Sequence, residues 1–159
     1  MIFAVVTISD RCTKGLRTDT AGPAVVAALK AAWPQAEIVG RLLPDEEEQI
    51  VAALLEFSKN RAALVLTVGG TGLGPRDRTP EATRRVIDRE APGLAEAMRA
   101  KSAANNPYAW LSRGVVGLRG ATLIVNLPGS ERGAIECWNA IAVLVRHGIH
   151  VIQGGQTHP

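Results

Sequence analysis

Short, nearly continuous apolar runs alternate along the chain with longer segments of helical spacing, and this alternation restricts the fold more than any other feature of the sequence. The runs are rich in β-branched residues and lie at Ile2–Ile8, Ala36–Leu43, Ala62–Val68 and Ala121–Val125. Apolar runs without polar alternation are typical of strands that are buried on both faces. Helical spacing occupies the intervening segments Thr20–Trp33, Asp45–Lys59, Pro80–Lys101 and Glu131–Ile152, the last of which Gly148 could break.

This order of elements predicts a three-layer α/β fold, in which helices cover both faces of a mostly parallel sheet. A further strand candidate at Ser112–Leu118 is followed by a turn at Leu118–Ala121, which predicts a small antiparallel addition to the sheet. The sequence has no internal repeat, low-complexity segment or linker, so we expect residues 1–159 to form a single domain.

Charge and cysteine usage exclude several classes of function. The chain has 18 Lys plus Arg against 15 Asp plus Glu, and Arg84-Arg85 is its only adjacent basic pair. Nucleic-acid binding requires a concentrated basic patch, so no nucleic-acid partner is expected. The N-terminal segment is too short in apolar residues for a secretion signal, and no apolar run of about 18 residues could span a bilayer. Cys12 and Cys137 have no C-x-x-C spacing. We therefore expect a cytoplasmic protein with buried, reduced thiols and no membrane contact.

Polar residues follow each predicted strand of the parallel core directly. They form four segments, which are Ser9-Asp10-Arg11, Pro44-Asp45-Glu46, Gly69 to Asp77, and Asn126 to Ser130. The carboxyl ends of parallel strands share one edge of a sheet, and ligands bind there where the strand order reverses. The four polar loops are therefore predicted to meet.

The third of these loops fits neither common phosphate-binding motif. Its glycine spacing resembles a Walker A loop, but Pro75-Arg76 stands where Lys-Ser/Thr is required, and Asp77 replaces the third glycine of a dinucleotide fingerprint. Glycine-rich backbone still lets amides approach an anion closely. A glycine turn into a helix capped by Thr79 explains the same residues. Asp77 has no structural role in that second interpretation.

Each of the other loops also has a purely structural interpretation. Asp45 could cap the following helix, with Glu48 completing the capping box. Ser9 and Asp10 could form an Asx-turn, residues 126–129 a turn, and Ser130 the cap of the last helix. Ser112 could be only a strand residue.

Six sequence motifs together resemble the Mog/MoaB family of molybdopterin adenylyltransferases, which includes the plant and gephyrin G domains. The resemblance runs in order over about residues 3–150 and is most specific between Gly69 and Thr83. Its motifs are Ile8-Ser9-Asp10-Arg11, Leu43-Pro44-Asp45-Glu46, GGTG..PRD.TPEAT, Glu90-x-Pro92-Gly93-Leu94, Leu111-Ser112-Arg113 and Gly120-x-Thr122-Leu123-Ile124-x-Asn126-x-Pro128-Gly129.

The resemblance implies the fold of molybdenum cofactor biosynthesis proteins and a nucleotidyltransferase that moves AMP from ATP to the terminal phosphate of molybdopterin. Asp45 and Asp77 match the family's two essential carboxylates, so they are the predicted catalytic residues and Mg²⁺ ligands. The amides of Gly70, Thr71 and Gly72 would hold nucleotide phosphates, and Arg76 or Arg78 would face the leaving pyrophosphate. The predicted substrate-binding residues are Ser9, Asp10, Gly69, Gly70, Thr71, Gly72, Arg76, Thr79, Ser112, Asn126, Pro128, Gly129 and Ser130.

The resemblance also implies a homotrimer, with metal insertion left to another protein downstream. Two alternatives remain at this stage. One is a non-catalytic pterin-binding paralogue, and the other is a trimeric scaffold of the same fold. His147, His150 and His158 have no cysteine or carboxylate beside them in sequence, so we expect them to be solvent-facing or core residues and not metal ligands.

Overall fold

A computed structural model describes residues 1–155 and contains one six-stranded sheet. Its strands are β1 (Ile2–Ile8), β2 (Glu37–Leu43), β3 (Leu64–Val68), β4 (Arg89–Glu90), β5 (Val116–Arg119) and β6 (Thr122–Leu127). The strand order is β2-β1-β3-β6-β5-β4. Neighbours from β2 to β6 pair in parallel, whereas β5 is antiparallel to both β6 and β4. The predicted parallel core with a small antiparallel addition is confirmed.

Helices cover both faces of the sheet, as predicted. They are α1 (Asp10–Thr13), α2 (Ala21–Ala32), α3 (Glu47–Lys59), α4 (Thr79–Val86), α5 (Pro92–Ala103) and α6 (Glu131–Ile152), with a 3-10 helix at Pro107–Leu111. Alternate residues of β1 point to opposite faces, so Phe3 and Val5 pack with α2, α5 and α6, whereas Val6 and Ile8 pack with α3 and α4. No helix within residues 1–155 is both long and apolar enough to cross a membrane.

The predicted helix Pro80–Lys101 is wrong, because the structure divides it into α4, β4 and α5. Pro92 cannot lie inside a helix because it lacks an amide hydrogen. The amides of Asp88 and Ala91 instead donate to Leu118 and Val116 of β5 at 2.7 and 2.8 Å. The chain before Pro92 is thereby drawn into the sheet as its edge strand.

Two further predictions about element boundaries are corrected by the structure. Gly148 does not break the last helix, because α6 runs continuously from Glu131 to Ile152. The antiparallel strand begins at Val116, so Ser112 is not a strand residue but the C-cap of the 3-10 helix. Both cysteines are free thiols; Cys137 is buried as predicted, but Cys12 is half-exposed. His147 and His150 are exposed on α6, and His158 lies outside the described residues.

The order of the strands leaves a crevice at the carboxyl edge of the sheet. β1 pairs with β2 on one side and with β3 on the other, so the chain leaves β1 in one direction and later crosses back to its opposite side. The loops after β1 and β3 consequently diverge, and ligands bind at such a reversal of strand order.

Candidate active site

Two cavities open side by side at the carboxyl edge of the sheet. One, of about 400 Å³, is lined by apolar side chains that include Ala95, Met98 and Leu111, and we call it the Met98 cavity. The other, of about 380 Å³, is lined by the carboxylates Asp10, Asp19, Asp45 and Asp77, and we call it the acidic cavity. Gly70, Asp77, Gly129 and Ser130 line both. Loops after β1, β2, β3 and β6 all contribute, so the predicted convergence of the four loops occurs.

Glycine is required where β3 turns into the loop between these cavities. Gly69 has φ +112° and Gly70 has φ +64°, conformations that residues with a Cβ rarely adopt. A Cβ on Gly69 would lie 2.2 Å from the carbonyl oxygen of Ile8, and one on Gly70 would lie 2.3 Å from Thr79 Oγ1. Packing and backbone conformation therefore both exclude other residues here.

Hydrogen bonds from Thr79 and Arg113 hold four successive carbonyls of this loop. The carbonyls of Gly69 and Gly70 accept from the hydroxyl and the amide of Thr79 at 2.9 and 3.1 Å. The carbonyls of Thr71 and Gly72 accept from the amide and Nε of Arg113 at 2.9 and 2.7 Å.

The amides that follow these four carbonyls point the other way. A trans peptide directs its N–H opposite to its C=O. Within residues 1–155, the amides of Gly70, Thr71, Gly72 and Leu73 donate to no acceptor of the protein. The loop thus presents a row of four free amides, which we call the amide row. Consecutive free amides of this kind form an anion-binding surface.

Asp45 and Asp77 each have one oxygen bound by the backbone. Asp45 Oδ2 accepts from the amide of Asp10 at 2.8 Å, and Asp77 Oδ2 accepts from the amide of Gly74 at 2.8 Å. Asp10 returns the bond, because its Oδ1 accepts from the amide of Asp45 at 3.0 Å. Among the described contacts, Oδ1 of Asp45 and Oδ1 of Asp77 accept no hydrogen bond. Each carboxylate is therefore fixed through one oxygen and keeps the other for a ligand.

Asp45 and Asp10, which are neighbours in the acidic cavity, have pKa values that are shifted in opposite directions. Burial raises the pKa of Asp45, and the negative charges of Asp10 and Asp77 raise it further. The hydrogen bond from Arg76 lowers the pKa of Asp10 below its usual range. A cation bound near Asp45 would offset the unfavourable burial of its charge.

The donor set of this cavity suits Mg²⁺ bound together with a phosphate. Magnesium prefers oxygen ligands and is usually held by one or two carboxylates plus substrate phosphates, without a full protein cage. The described part of the chain contains no cluster of three or more metal-ligating side chains. The free oxygens of Asp45 and Asp77 beside the amide row match that pattern of partial coordination.

Several predictions about caps are corrected by these contacts. Thr79 does not cap α4, since it is the first residue of that helix and its hydroxyl donates to Gly69. Asp77, which had no structural role in the predicted glycine turn, does have one in the structure, because its Oδ2 accepts a hydrogen bond from the amide of Gly74. Asp45 does not cap α3, because Glu46 holds the cap position and Asp45 is bonded to Asp10.

The cap predicted for the last helix is confirmed, and a second serine is a cap that was not predicted. Ser130 Oγ accepts from the amide of Gly133 and caps α6, as predicted. Ser9 is not part of an Asx-turn; its Oγ accepts from the amide of Cys12 and caps α1. Both serines line the acidic cavity.

Asn126 lies in β6 and not in a turn, and its side chain is fully engaged inside the protein. It is 1% exposed, its Oδ1 accepts from Val115, and its Nδ2 donates to Thr67 and Thr83. Pro128 and Ser112 line the Met98 cavity. Arg76 lines neither cavity, because it bonds to Asp10 and Glu46 across the loop.

The sequence reasoning did not assign a role to Arg113 or to several residues of the Met98 cavity. Arg113 belongs to a motif of the family resemblance, but its contacts with the glycine-rich loop join residues 41 positions apart and leave no local pattern. The unassigned lining residues include Met98, Arg99, Tyr108 and Glu136. Tyr108 lines this cavity and is 75% exposed.

Comparison with known proteins shows the family to which the chain belongs. A family profile described as a probable molybdopterin binding domain matches residues 4–147. The chain is 41% identical to molybdopterin adenylyltransferase of Escherichia coli K12 over 153 residues, which cover 92% of this chain and 78% of that protein. It is 40% identical to molybdenum cofactor synthesis protein cinnamon of Drosophila melanogaster over 94% of this chain, but it spans only 25% of that longer protein.

A solved structure has the same fold over its whole length. The molybdopterin biosynthesis enzyme MoaB of Thermus thermophilus superposes with a TM-score of 0.88 at 44% identity, and the match covers 99% of both chains. The resemblance predicted from the sequence motifs is therefore confirmed.

Proposed function

Because the chain belongs to the family of probable molybdopterin binding domains, whose relatives act in molybdenum cofactor biosynthesis, we propose that it is a molybdopterin adenylyltransferase. It transfers AMP from ATP to the terminal phosphate of molybdopterin and releases pyrophosphate, with Mg²⁺ as the metal. The names of its relatives support the transferase activity, and the geometry of the carboxyl edge supports the details.

The amide row is the observation that carries the proposal. Within residues 1–155, the amides of Gly70 to Leu73 donate to no protein acceptor, whereas the four carbonyls that precede them all accept hydrogen bonds from Thr79 or Arg113. Such a surface binds phosphate oxygens without adding a mobile charged side chain. Gly70 lines both cavities, and Thr71 and Gly72 line the Met98 cavity, so the row borders the place where a nucleotide phosphate and a second anionic substrate would be joined.

Two cavities with a common rim suit a reaction between two substrates. The acidic cavity offers polar side chains, and the Met98 cavity offers apolar walls beside Tyr108 and Ser112, which suit a flat heterocycle with polar substituents. Asp77 lines both, so a group held there is within reach of either substrate. Holding both reactants at a shared rim supplies the proximity on which such a transfer depends.

The transfer is a displacement at the α-phosphorus of ATP. An oxygen of the molybdopterin phosphate forms the new P–O bond, and the bond from the α-phosphorus to the oxygen bridging to the β-phosphorus breaks. Pyrophosphate leaves with the electron pair of the broken bond. The nucleophile is already ionised at neutral pH, so no residue has to remove a proton.

Charge repulsion is the main obstacle to this displacement. Two unit charges about 4 Å apart repel by about 4 kcal/mol at an effective dielectric of 20, and several such pairs oppose the approach of the substrates. The free oxygens of Asp45 and Asp77 would hold Mg²⁺, which supplies positive charge to the phosphates when bound. The amide row orients the phosphates and adds partial positive charge on its side of the loop.

A single incubation tests this function. The purified protein is mixed with molybdopterin, ATP and MgCl₂, and adenylated pterin and pyrophosphate are measured together. We expect both products in equal amounts and none when EDTA replaces MgCl₂. Pterin binding without either product would instead identify a non-catalytic paralogue.

Assembly remains a prediction. Apolar side chains are exposed on α6, where Val143 is 80% and Leu144 is 50% exposed, and such positions would be covered in the predicted homotrimer. Light scattering measures the mass in solution. A complex with a metal-insertion protein in a pull-down, without formation of adenylated pterin, would indicate a scaffold.

A further inference from the structure

Arg113 reaches the glycine-rich loop from the segment before β5 and binds it at three carbonyls. Its amide donates to Thr71, its Nε to Gly72 at 2.7 Å and its Nη2 to Asp77 at 2.6 Å. Its Nη1 donates to Glu81 on α4. One residue thus joins both ends of the loop to the helix that follows it.

We propose that Arg113 is the positioning residue of this loop and that it sets the direction of the amide row and the place of Asp77. The inference rests on the proposed function, since the row and Asp77 are the groups that would meet the phosphates and the metal. Arg113 itself is a positioning residue and not a catalytic one. It is not among the described residues that line either cavity.

The orientation of the amide row depends on these contacts. The backbone amide of Arg113 holds the carbonyl of Thr71, a bond that lysine at this position would keep, whereas the side chain holds the carbonyl of Gly72. The amides of Gly72 and Leu73 point away from these donors because the peptides are trans. Thr79 does the same for Gly69 and Gly70. Thr79 therefore orients the amides of Gly70 and Thr71, and Arg113 orients those of Gly72 and Leu73.

The chemistry of the side chain explains why arginine is needed. A guanidinium donates from several nitrogens in one rigid plane, so it can bind two carbonyls and a carboxylate at fixed angles. A lysine ammonium is a compact charge on a flexible stem and cannot reproduce that fork. Replacing Arg113 by lysine keeps the positive charge but removes the fixed arrangement of hydrogen-bond donors.

Glu81 fixes the orientation of the guanidinium. Its Oε1 accepts from Arg113, whereas its Oε2 is buried and has no hydrogen-bond partner, the one such side-chain atom found within residues 1–155. A buried oxygen without a hydrogen-bond partner is unfavourable, so the hydrogen bonds of Oε2 do not explain where the carboxylate lies. Its position is explained by the contact with Arg113.

Hydrogen exchange of the substrate-free protein tests the positioning role directly. The amides of Gly74, Asp77 and Thr79 are hydrogen-bonded within the loop and report on its order. In Arg113→Lys we expect their protection from exchange to fall at least about tenfold, while amides in β3 and α6 keep theirs. Arg119→Lys is the matched control, because Arg119 makes an exposed ion pair with Asp88 and does not contact the loop.

Turnover gives a second readout. In Arg113→Lys we expect kcat to fall about 10- to 100-fold, as for displacement of a reacting group by about 1 Å, while Arg119→Lys keeps the wild-type rate. Glu81→Gln retains an acceptor for Arg113 and should give the same pattern with a smaller loss. It also keeps the inference testable if Arg113→Lys does not fold.

The outcomes separate this inference from the proposed function. Wild-type turnover together with wild-type protection of Gly74, Asp77 and Thr79 in Arg113→Lys and Glu81→Gln would overturn the role of Arg113 alone. Loss of protection throughout the protein would also overturn it, because that pattern reports a general loss of stability. If the wild-type protein forms no adenylated pterin but the loop loses protection selectively in the variants, the proposed function fails and Arg113 still positions the loop.

Discussion

Cavities open at both edges of the sheet, and the cavity at the amino edge is larger than either cavity of the candidate active site. A cavity of about 840 Å³ lies at the amino edge, where residues precede β3 and β6, compared with about 400 and 380 Å³ at the carboxyl edge. At the amino edge, Thr122 Oγ1 donates to Ala62, and Asp88 accepts from Arg119 and Gly120. These polar groups thus hold neighbouring segments of the structure together.

The carboxyl edge differs because successive backbone amides and some carboxylate oxygens there have no partner within residues 1–155. The amide row and one oxygen on each of Asp45 and Asp77 are available to a ligand. Free backbone amides and carboxylate oxygens, and not volume, therefore distinguish the candidate site from a gap between elements. Pairs of equivalent residues at the two edges allow this difference to be tested.

The largest effect is expected from the two aspartates Asp77 and Asp88. Asp77→Asn keeps an acceptor for Gly74 but removes the charge, so we expect kcat to fall on the order of 10³-fold, at the upper end for loss of one electrostatic group. Asp88→Asn should leave turnover unchanged. Circular dichroism checks that both variants fold, and pyrophosphate release measures the rate. Equal rates for the two variants would remove Asp77 from the proposed mechanism.

Two glycines with positive φ give the next comparison. Gly70 has φ +64° and Gly120 has φ +56°, so alanine costs about 1–2 kcal/mol in backbone energy at either position. Only at Gly70 would the new Cβ meet Thr79 Oγ1, at 2.3 Å, since nothing lies within 4 Å at Gly120. We expect Gly70→Ala to lose about 100-fold in kcat/KM and Gly120→Ala to lose none. A similar loss in both would mean that backbone strain alone is responsible.

Two buried threonines make equivalent bonds at opposite edges. Thr79 donates to the carbonyl of Gly69 and Thr122 donates to that of Ala62. Replacing either by valine should reduce the free energy of unfolding by about 1 kcal/mol, as for loss of one buried hydrogen bond. Only Thr79→Val should also reduce turnover, by about tenfold, because the amide row loses part of its anchoring. Chemical denaturation and steady-state kinetics on the same preparations decide the matter.

The smallest effect concerns stability and its dependence on pH. Burial raises the pKa of Asp45, so its ionisation weakens the fold as pH rises through that raised value, and Asp45→Asn should raise Tm at pH 7. The hydrogen bond from Gly120 lowers the pKa of Asp88, so its ionised form stabilises the fold above the ordinary aspartate pKa, and Asp88→Asn should lower Tm at pH 7.

Both differences should shrink as pH falls below the ordinary aspartate range, where the carboxyl groups become neutral. Thermal melts of the metal-free proteins at several pH values measure this. Shifts of the same sign in the two variants would contradict the contrast between the edges.

The sequence predicted the carboxyl edge well because the rule it used depends only on strand order. Buried strands were recognisable as apolar runs, and in a parallel sheet the residues after each strand must share an edge. Asp10, Asp45 and Asp77 could therefore be placed near one another without coordinates. The same rule says nothing about which atoms remain unpaired, so the structural roles of Thr79 and Asn126 were predicted wrongly.

Arg113 escaped prediction for a topological reason. It lies before a strand, and the rule examines only residues that follow strands. Because β5 runs antiparallel to β6, its beginning lies beside the end of β6, and Ser112 to Gly114 therefore arrive at the carboxyl edge. Recognising this from sequence would have required knowing the direction of β5, which pairing across the sheet decides and local residue preferences do not.

The length of α6 has a consequence for how this unit can be combined with others. The helix starts at the carboxyl edge with its Ser130 cap and runs back for 22 residues, about 33 Å at 1.5 Å per residue, to the amino edge. β1 also begins at the amino edge, so Ile2 and Ile152 lie on the side of the molecule away from both cavities. A fusion partner or affinity tag attached near either position would leave the mouths of the Met98 cavity and the acidic cavity uncovered.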